Sequence, residues 1–319
     1  MTVSMGDELL ARDRTLAVVE IGGTSVKFGF SQAGRPHPFS TVMPTALIRT
    51  GDPVATLARL ARQASAEAGL VASDMVATVP GFIARDGDTV LYAANVPELN
   101  GLRLASGLAM ALGVTVLLER DVALQLLGER RAGSVAGEDH VLAVYFGTGI
   151  GATYVGDGQV FRGGGWALEL GHMPVHGRGQ TLPGLQPDRL EVYASGRTLI
   201  ALATRHDIPV DRLFVEASRI PALQAALELV VRDQAFAVAT AMAVMSPRVV
   251  LLGGGVVEMD GYPRDRLASI LADHLPLPAA LQPLALRWST LGWKAAIWGA
   301  IEVIEARNPT QRGYDAQEG

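Results

Sequence analysis

Residues 141–151, VLAVYFGTGIG, contain the motif around which the rest of the chain is organised. An apolar run ends in the turn Gly147-Thr148-Gly149, and apolar sequence resumes directly after it. A strand that leads into a tight glycine-rich turn exposes consecutive backbone N–H groups, because no side chain covers them, and the threonine hydroxyl adds a donor. The pattern therefore predicts a β-hairpin whose turn can bind phosphate.

A second copy of this pattern lies near the N-terminus. Residues 16–21 (LAVVEI) lead into Gly22-Gly23-Thr24, and residues 25–30 (SVKFGF) follow. Two matching units in different halves of the chain indicate duplicated halves, since a solenoid would repeat at a short period. Two such halves facing each other could hold one polyphosphate between their turns.

The segments between and after the hairpins alternate between helix and strand patterns, which predicts an α/β fold. Because the hairpins add antiparallel strands, we expect mixed sheets. The predicted domains are residues 1–118 with a closing helix at about 294–308, and residues 119–293. The predicted helices are 55–68, 102–112, 121–131, 223–245 and 294–306, and the further predicted strands are 75–79, 89–92, 114–118 and 249–252.

Composition excludes several classes of function. The 319 residues are 49% apolar and 18% charged, with no apolar run near the roughly 20 residues that span a bilayer. The first 14 residues carry acids and no continuous apolar segment, so we expect a loosely ordered lead-in and no secretory signal. A net charge of −5 without a basic run argues against nucleic acid. The absence of cysteine excludes disulfides and thiolate catalysis and fits a cytoplasmic location.

Asp121 is the candidate catalytic base. Phosphorylation of a hydroxyl needs a carboxylate that orients the hydroxyl and takes its proton as the O–P bond forms. The ordinary alternative is a helix N-cap, a position at which aspartate is favoured. The surrounding motifs favour catalysis.

The motifs taken together resemble the ROK family of sugar kinases. Residues 20–24 (EIGGT) look like its first phosphate motif, 147–151 (GTGIG) like its second, 252–255 (LGGG) like its nucleoside motif, and 169–172 (ELGH) like its E-x-G-H signature. They occur in the family's order and cover roughly residues 16–305. The resemblance implies the actin/hexokinase/Hsp70 fold, with two ribonuclease-H-like domains, mixed sheets flanked by helices and an interdomain cleft.

The resemblance also implies roles for particular residues, Mg-ATP as the nucleotide substrate and a homodimer. Details such as Arg120-Asp121-Val122 are similar to D-allose kinases. Lone polar residues in loops are common without a ligand, so each sugar contact also has an ordinary structural alternative. The implied sugar contacts are Asn95, Arg120, Glu169, His172 and Glu191, and the implied ATP contacts are Gly22, Gly23, Thr24, Gly147, Thr148, Gly149, Gly253, Gly254 and Gly255.

The sequence departs from the family pattern at two places. Glu20 stands where relatives usually have an aspartate that holds the hydration shell of Mg²⁺, and we expect it to act through water or to weaken metal binding. Relatives also follow the motif histidine with a cysteine cluster that binds zinc, whereas residues 179–189 contain no cysteine. His172 and His176 alone make an improbable metal site, so we predict no zinc. Pro183, Pro187 and local packing are expected to stiffen this loop instead.

Three functions follow from these observations. The leading hypothesis is ATP-dependent phosphorylation of a hexose at O6 by an allose-type or glucose-type kinase, with Asp121 as base. The alternative is a non-catalytic sugar-binding sensor that acts through a protein partner, since the segment before the first strand is too short for a DNA-binding helix-turn-helix. A dinucleotide-dependent enzyme is excluded because no G-x-G-x-x-G opens a helix after a strand.

Overall fold

The computed structural model describes residues 14–276 and 283–307. The predictions for residues 1–13, and for the last residue of the closing helix, lie outside the described residues. The chain divides into two compact units. The first runs to Gly133 and resumes at Trp293, and the second is Ser134–Gly292.

Strands and helices alternate as the sequence predicts. The strands are β1 (Thr15–Ile21), β2 (Ser25–Gln32), β3 (Arg35–Pro44), β4 (Asp74–Val79), β5 (Phe82–Ile83), β6 (Val90–Tyr92), β7 (Thr115–Arg120), β8 (Val141–Phe146), β9 (Ile150–Gly156), β10 (Gln159–Val160), β11 (Val249–Gly253) and β12 (Leu286–Trp288). The helices are α1 (Pro53–Ala68), α2 (Leu104–Leu112), α3 (Asp121–Ala132), α4 (Glu191–Ala194), α5 (Gly196–His206), α6 (Leu213–Glu216), α7 (Pro221–Met245), α8 (Arg264–Asp273) and α9 (Lys294–Arg307).

The first unit is built on a five-stranded mixed sheet of order β3-β2-β1-β4-β7. β1 pairs antiparallel with β2 and parallel with β4, and β4 pairs parallel with β7. Alternate residues of β1 are buried on opposite faces, since Val18 packs with α9 whereas Val19 packs in the core that contains α1 and α2. Burial on both faces is the reason that β1 is a continuous apolar run instead of an alternating one.

Helices α3 and α9 pack closely in the first unit. A side chain at Gly128 would collide with the backbone of Ala295, and one at Gly299 would collide with the backbone of Leu124. Glycine at both positions therefore allows the two helix backbones to approach. This packing places α3 in the first unit, so that the unit ends at Gly133, whereas the sequence pattern predicts a boundary near residue 118.

The second unit repeats the topology of the first. Its sheet has the order β10-β9-β8-β11-β12, with β8 antiparallel to β9 and parallel to β11, and β11 parallel to β12. Each strand corresponds to one in the first sheet, which confirms the prediction of duplicated halves and mixed sheets. The long helix α7 packs in the same core as Leu142, Val144 and Phe146 of β8.

The sequence pattern did not predict β3, α5 or α8. Strand β3 is an edge strand with mostly exposed or half-buried residues, so it carries little hydrophobic periodicity. Its Pro36 and Pro38 are tolerated at an edge, although proline in a sequence usually argues against a strand. None of the described helices combines the length and apolar character needed to span a membrane.

Candidate active site

The first Gly–Thr turn joins β1 to β2. The N–H of Gly22 donates to the carbonyl of Ser25 at 2.9 Å, which closes the turn. The Thr45 hydroxyl donates to the carbonyl of Gly22 at 2.6 Å, and Arg49 donates from Nη2 to the carbonyl of Gly23 at 2.8 Å. Protein donors thus hold the turn's carbonyl groups, and the Thr24 side chain is exposed.

Asn95 packs directly on this turn. A Cβ at Gly23 would lie 2.9 Å from the Cβ of Asn95. The same Arg49 nitrogen that binds the turn also donates to the carbonyl of Asn95 at 3.3 Å. The structure therefore brings a predicted sugar contact next to a predicted phosphate turn. Sequence reasoning missed Arg49 and Thr45, which lie in a short segment without a recognisable motif.

Glu20 and Asp121 lie at the same edge of the first sheet. β1 and β7 are parallel through β4, so their carboxyl ends meet there, and Asp121 is the first residue of the helix that follows β7. Lys27 lies opposite Glu20 across the hairpin, with its Nζ 3.6 Å from Oε2. Burial raises the pKa of the Glu20 carboxyl; Lys27 opposes the shift, and the negative charge of Asp121 adds to it.

Asp121 is partly buried and does not act as a helix cap. Its Oδ1 accepts a hydrogen bond from the adjacent Val122 N–H at 2.8 Å, instead of from an N–H two or three residues further on. Burial raises the pKa of the Asp121 carboxyl, while the Val122 N–H and the positive charge of Arg120 act in the opposite direction. A desolvated carboxylate with a raised pKa is suited to accept a proton.

The second Gly–Thr–Gly turn joins β8 to β9 and is bound by α4 and α5. The N–H of Gly196 donates to the carbonyl of Gly147 at 2.8 Å. The Ile150 N–H donates to Oε1 of Glu191 at 3.0 Å. The side chain of Glu191, a predicted sugar contact, is therefore fixed against the turn.

Gly171 of the E-x-G-H motif packs on the same carboxylate. A Cβ at Gly171 would lie 2.6 Å from Oε1 of Glu191, and one at Gly149 would lie 2.5 Å from it. The carboxylate fits between these two backbones only because both residues lack a side chain. The structure thus joins the second phosphate motif, the E-x-G-H motif and Glu191.

Glu169 and His172 flank this contact. The N–H of Leu170 donates to the carbonyl of Leu168 at 2.8 Å, and Glu169 has φ −73° and ψ 63°, so Glu169 is the centre of an inverse γ-turn. Leu168 before it has φ 62°, a left-handed conformation that is unusual for leucine. His172 is exposed, and its carbonyl accepts a hydrogen bond from Arg189.

The triple glycine at the end of β11 packs on the end of β8. A Cβ at Gly254 would lie 2.5 Å from the carbonyl oxygen of Phe146, and one at Gly253 would lie 2.7 Å from the Tyr145 ring. The Val256 N–H also donates to that Phe146 carbonyl at 2.9 Å. The predicted nucleoside motif and the second phosphate turn therefore form one local structure within the second unit.

Arg178 ties the loop after the E-x-G-H motif to α7. Its guanidinium forms an ion pair with Asp233, with Nη1 3.2 Å from Oδ1, and lies 4.6 Å from the centroid of the Tyr193 ring. Sequence reasoning assigned the stiffening of this loop to Pro183 and Pro187, which are both exposed, and missed Arg178. Among the described residues, a potential three-ligand metal cluster is formed by Asp139, His140 and Asp157, and it includes neither His172 nor His176. The prediction of no zinc is not tested by this cluster.

These features define a class of protein. The two units have matching topology, and each has a glycine–threonine turn between its first two strands. This is the actin/hexokinase-like architecture. The family model described as the ROK family matches residues 16–307. The chain belongs to the ROK family.

Individual relatives agree with this assignment. The chain is 29% identical over 247 residues to a glucokinase of Thermotoga maritima, covering 72% of this chain and 78% of that protein. It is 29% identical over 256 residues to an N-acetyl-D-glucosamine kinase of Vibrio parahaemolyticus, covering 74% and 83%. A solved ROK hexokinase from Thermus thermophilus is similar in structure, with a TM-score of 0.75, 26% identity and coverage of 92% of this chain and 99% of that one.

Proposed function

We propose that the protein phosphorylates a hexose at O6, using Mg-ATP as phosphoryl donor and Asp121 as general base. The family match and the kinase relatives identify the chain as an ATP-dependent sugar kinase. The identity of the sugar, the acceptor hydroxyl and the catalytic base are the additional points that we propose. The observation that carries the proposal is the pair Glu20 and Asp121 at one edge of the first sheet. The names of its relatives favour glucose, an N-acetylated amino sugar or a related hexose as substrate.

The nucleotide would be bound mainly through backbone groups. The turns 22–24 and 147–149 would bind its phosphates through the N–H groups of Gly23, Thr24, Thr148 and Gly149 and through the threonine hydroxyls, because the N–H groups of Gly22 and Gly147 already donate within their turns. Residues 253–255 would contact its nucleoside. Within each turn, protein donors hold carbonyl groups, which leaves N–H groups suited to anionic oxygens. Phosphoryl transfer requires mainly positioning and charge neutralisation, and this arrangement supplies both.

The donor set fits a hard divalent cation. Glu20 and Asp121 are carboxylates that interact unfavourably with each other in a partly buried site, and Mg²⁺ prefers oxygen ligands. Glu20 would hold the cation through water. When bound with ATP, Mg²⁺ neutralises charge on the phosphates.

In the reaction itself, Asp121 orients the acceptor hydroxyl. The hydroxyl oxygen forms a bond to the γ-phosphorus while the bond from that phosphorus to the β–γ bridging oxygen breaks, and the hydroxyl proton passes to Asp121. The products are the sugar phosphate and ADP. Asn95, Arg120, Glu169, His172 and Glu191 would contact the other sugar hydroxyls and select the epimer.

The decisive test measures ADP release from Mg-ATP with a panel of allose, glucose, fructose, mannose, N-acetylmannosamine and N-acetylglucosamine. We expect turnover with one or a few of these. In Asp121→Asn, kcat should fall at least a thousandfold, which is about 4 kcal/mol at the transition state. Sugar binding by that variant should stay within a few-fold of wild type. EDTA should abolish turnover, and Mg²⁺ alone should restore it. Retained turnover in Asp121→Asn would refute the base assignment. No turnover with any sugar, combined with thermal stabilisation by one of them, would favour the sensor instead.

A further inference from the structure

Helix α4 is a single turn that carries Glu191 as its first residue, so most of its carbonyl groups have no partner within the helix. The buried side chains of Ser195, which links the two helices, and of Thr198 in α5 fill this role. The Ser195 hydroxyl donates to the carbonyl of Glu191 at 2.7 Å, and the Thr198 hydroxyl donates to the carbonyl of Val192 at 3.1 Å. Buried polar side chains thus supplement the few backbone hydrogen bonds of this turn, such as the one from the Ala194 N–H to the Leu190 carbonyl at 3.0 Å.

The last carbonyl of α4 is bound by Gln234, which lies on the buried face of α7 and is itself fully buried. Its Nε2 donates to the carbonyl of Ala194 at 2.9 Å, and its Oε1 accepts from the Tyr262 hydroxyl at 2.6 Å. The carbonyl of Ala194 can only accept, which fixes the orientation of the amide. Burial raises the pKa of Tyr262, so its hydroxyl stays a neutral donor.

Tyr262 connects this amide to the predicted nucleoside motif. It follows the triple glycine and packs at the edge of the Phe214 ring, with 5.2 Å between the ring centroids. On the other side, α4 leads to Glu191, whose carboxylate binds the Ile150 N–H beside the second phosphate turn. One buried amide therefore joins the segment after residues 253–255 to the helix that carries a predicted sugar contact.

We propose that Gln234 is a positioning residue for the reaction: it fixes the end of α4, and thereby Glu191 and the second phosphate turn, and ties them to the nucleoside segment through Tyr262. This inference rests on the proposed kinase function. Burial of the Gln234 amide costs free energy that an apolar side chain would avoid. The amide therefore serves to fix one orientation of the Ala194 carbonyl and the Tyr262 hydroxyl, which it joins.

The test compares Gln234→Met with Gln63→Met. Both remove an amide from a helix, but Gln63 is exposed on α1 and pairs with Glu67 on the next turn of the same helix. Far-UV circular dichroism and melting curves establish that each variant is folded. In folded protein we expect Gln234→Met to lose at least tenfold in kcat/KM for the sugar and to show a changed KM for ATP, while Gln63→Met keeps wild-type values.

The variant Gln234→Glu gives a second test, because a side chain with a purely structural role would not produce a pH-dependent change in activity. A neutral carboxyl can donate to the Ala194 carbonyl and accept from Tyr262, whereas a carboxylate cannot donate. We therefore expect the ratio of Gln234→Glu to wild-type kcat/KM to be near one at low pH and to fall as pH rises. Tyr262→Phe should give a smaller loss, less than additive with Gln234→Met.

Wild-type kinetics in folded Gln234→Met, or a pH-independent ratio for Gln234→Glu, would overturn the proposal. If Gln234→Met does not fold, the pH series of Gln234→Glu decides the outcome. Failure of the proposed function is separate, because it would appear as absence of turnover in the wild type. In that case calorimetric titration with glucose and with AMPPNP replaces the kinetics, and unchanged affinities in folded Gln234→Met would overturn the inference.

Discussion

Gly254 and Gly255 are neighbours that we expect to respond oppositely to the same substitution. A Cβ at Gly254 would lie 2.5 to 2.8 Å from the carbonyl oxygen, carbonyl carbon and amide nitrogen of Phe146, and its φ is +92°. At Gly255, no atom of the described residues beyond its chain neighbours lies within 4 Å of the position that a methyl group would take, and φ lies outside the left-handed range. Packing thus requires glycine only at the first of the two positions.

The magnitudes follow from these two environments. An L residue in the left-handed region costs about 1–2 kcal/mol, and overpacking against rigid backbone costs about 1–3 kcal/mol. Gly254→Ala should therefore destabilise the second unit by about 2–5 kcal/mol, which lowers its melting temperature by roughly 10 °C. Gly255→Ala should leave the melting temperature unchanged within a degree or two.

Activity should separate the two variants in the opposite sense. A methyl group at Gly255 would occupy space that the nucleoside is proposed to approach, so KM for ATP should rise about tenfold, equivalent to about 1.4 kcal/mol. KM for the sugar should change little. Differential scanning fluorimetry and steady-state kinetics measure both effects. Equal melting temperatures for the two variants would refute the packing argument, and an unchanged KM for ATP in Gly255→Ala would refute the nucleoside assignment.

Two further predictions concern charge. Asp121→Asn should abolish turnover yet raise the melting temperature at neutral pH. The pKa of the Asp121 carboxyl is raised in the folded protein, so the protonated acid contributes fully to stability below its ordinary pKa of about 4. This contribution is lost as pH rises through the folded-state pKa, because the buried group then becomes charged. The gain in stability should therefore vanish at acidic pH, and an equal gain at every pH would contradict the reasoning. Arg178→Ala should lower the free energy of unfolding by about 1–2 kcal/mol, because it removes both the ion pair with Asp233 and the stacking on Tyr193. Arg178→Lys keeps the charge and should therefore retain part of this stability. Thermal melts in low and high salt test this, and wild-type stability in Arg178→Ala would show that the contact contributes nothing.

The sequence predicted the elements with strong local patterns. Apolar runs that end in glycine, such as β1 and β8, were placed within a residue or two of their observed bounds, because burial on both faces requires such runs. The duplicated hairpins also predicted two matching halves with mixed sheets, and the structure adds the strand order that the two sheets share. Strand β3 lacks such a pattern, since an edge strand needs little apolar sequence, and helix α3 was assigned to the wrong side of the unit boundary because only its packing on α9 shows where it belongs.

The sequence by itself determined the α/β class, the two Gly–Thr turns and the candidate base Asp121, whereas Glu20 and Glu191 became candidates through the resemblance to the ROK family. Local chemistry and periodicity suffice for the class and the turns, since a turn or a strand end is encoded by adjacent residues. Only the tertiary structure decided that Asn95 packs on Gly23, that Glu191 lies between Gly149 and Gly171, and that Gln234 joins Ala194 to Tyr262. These contacts join residues far apart in the chain, and their geometry is set by the packing of whole helices and sheets, which no local pattern records.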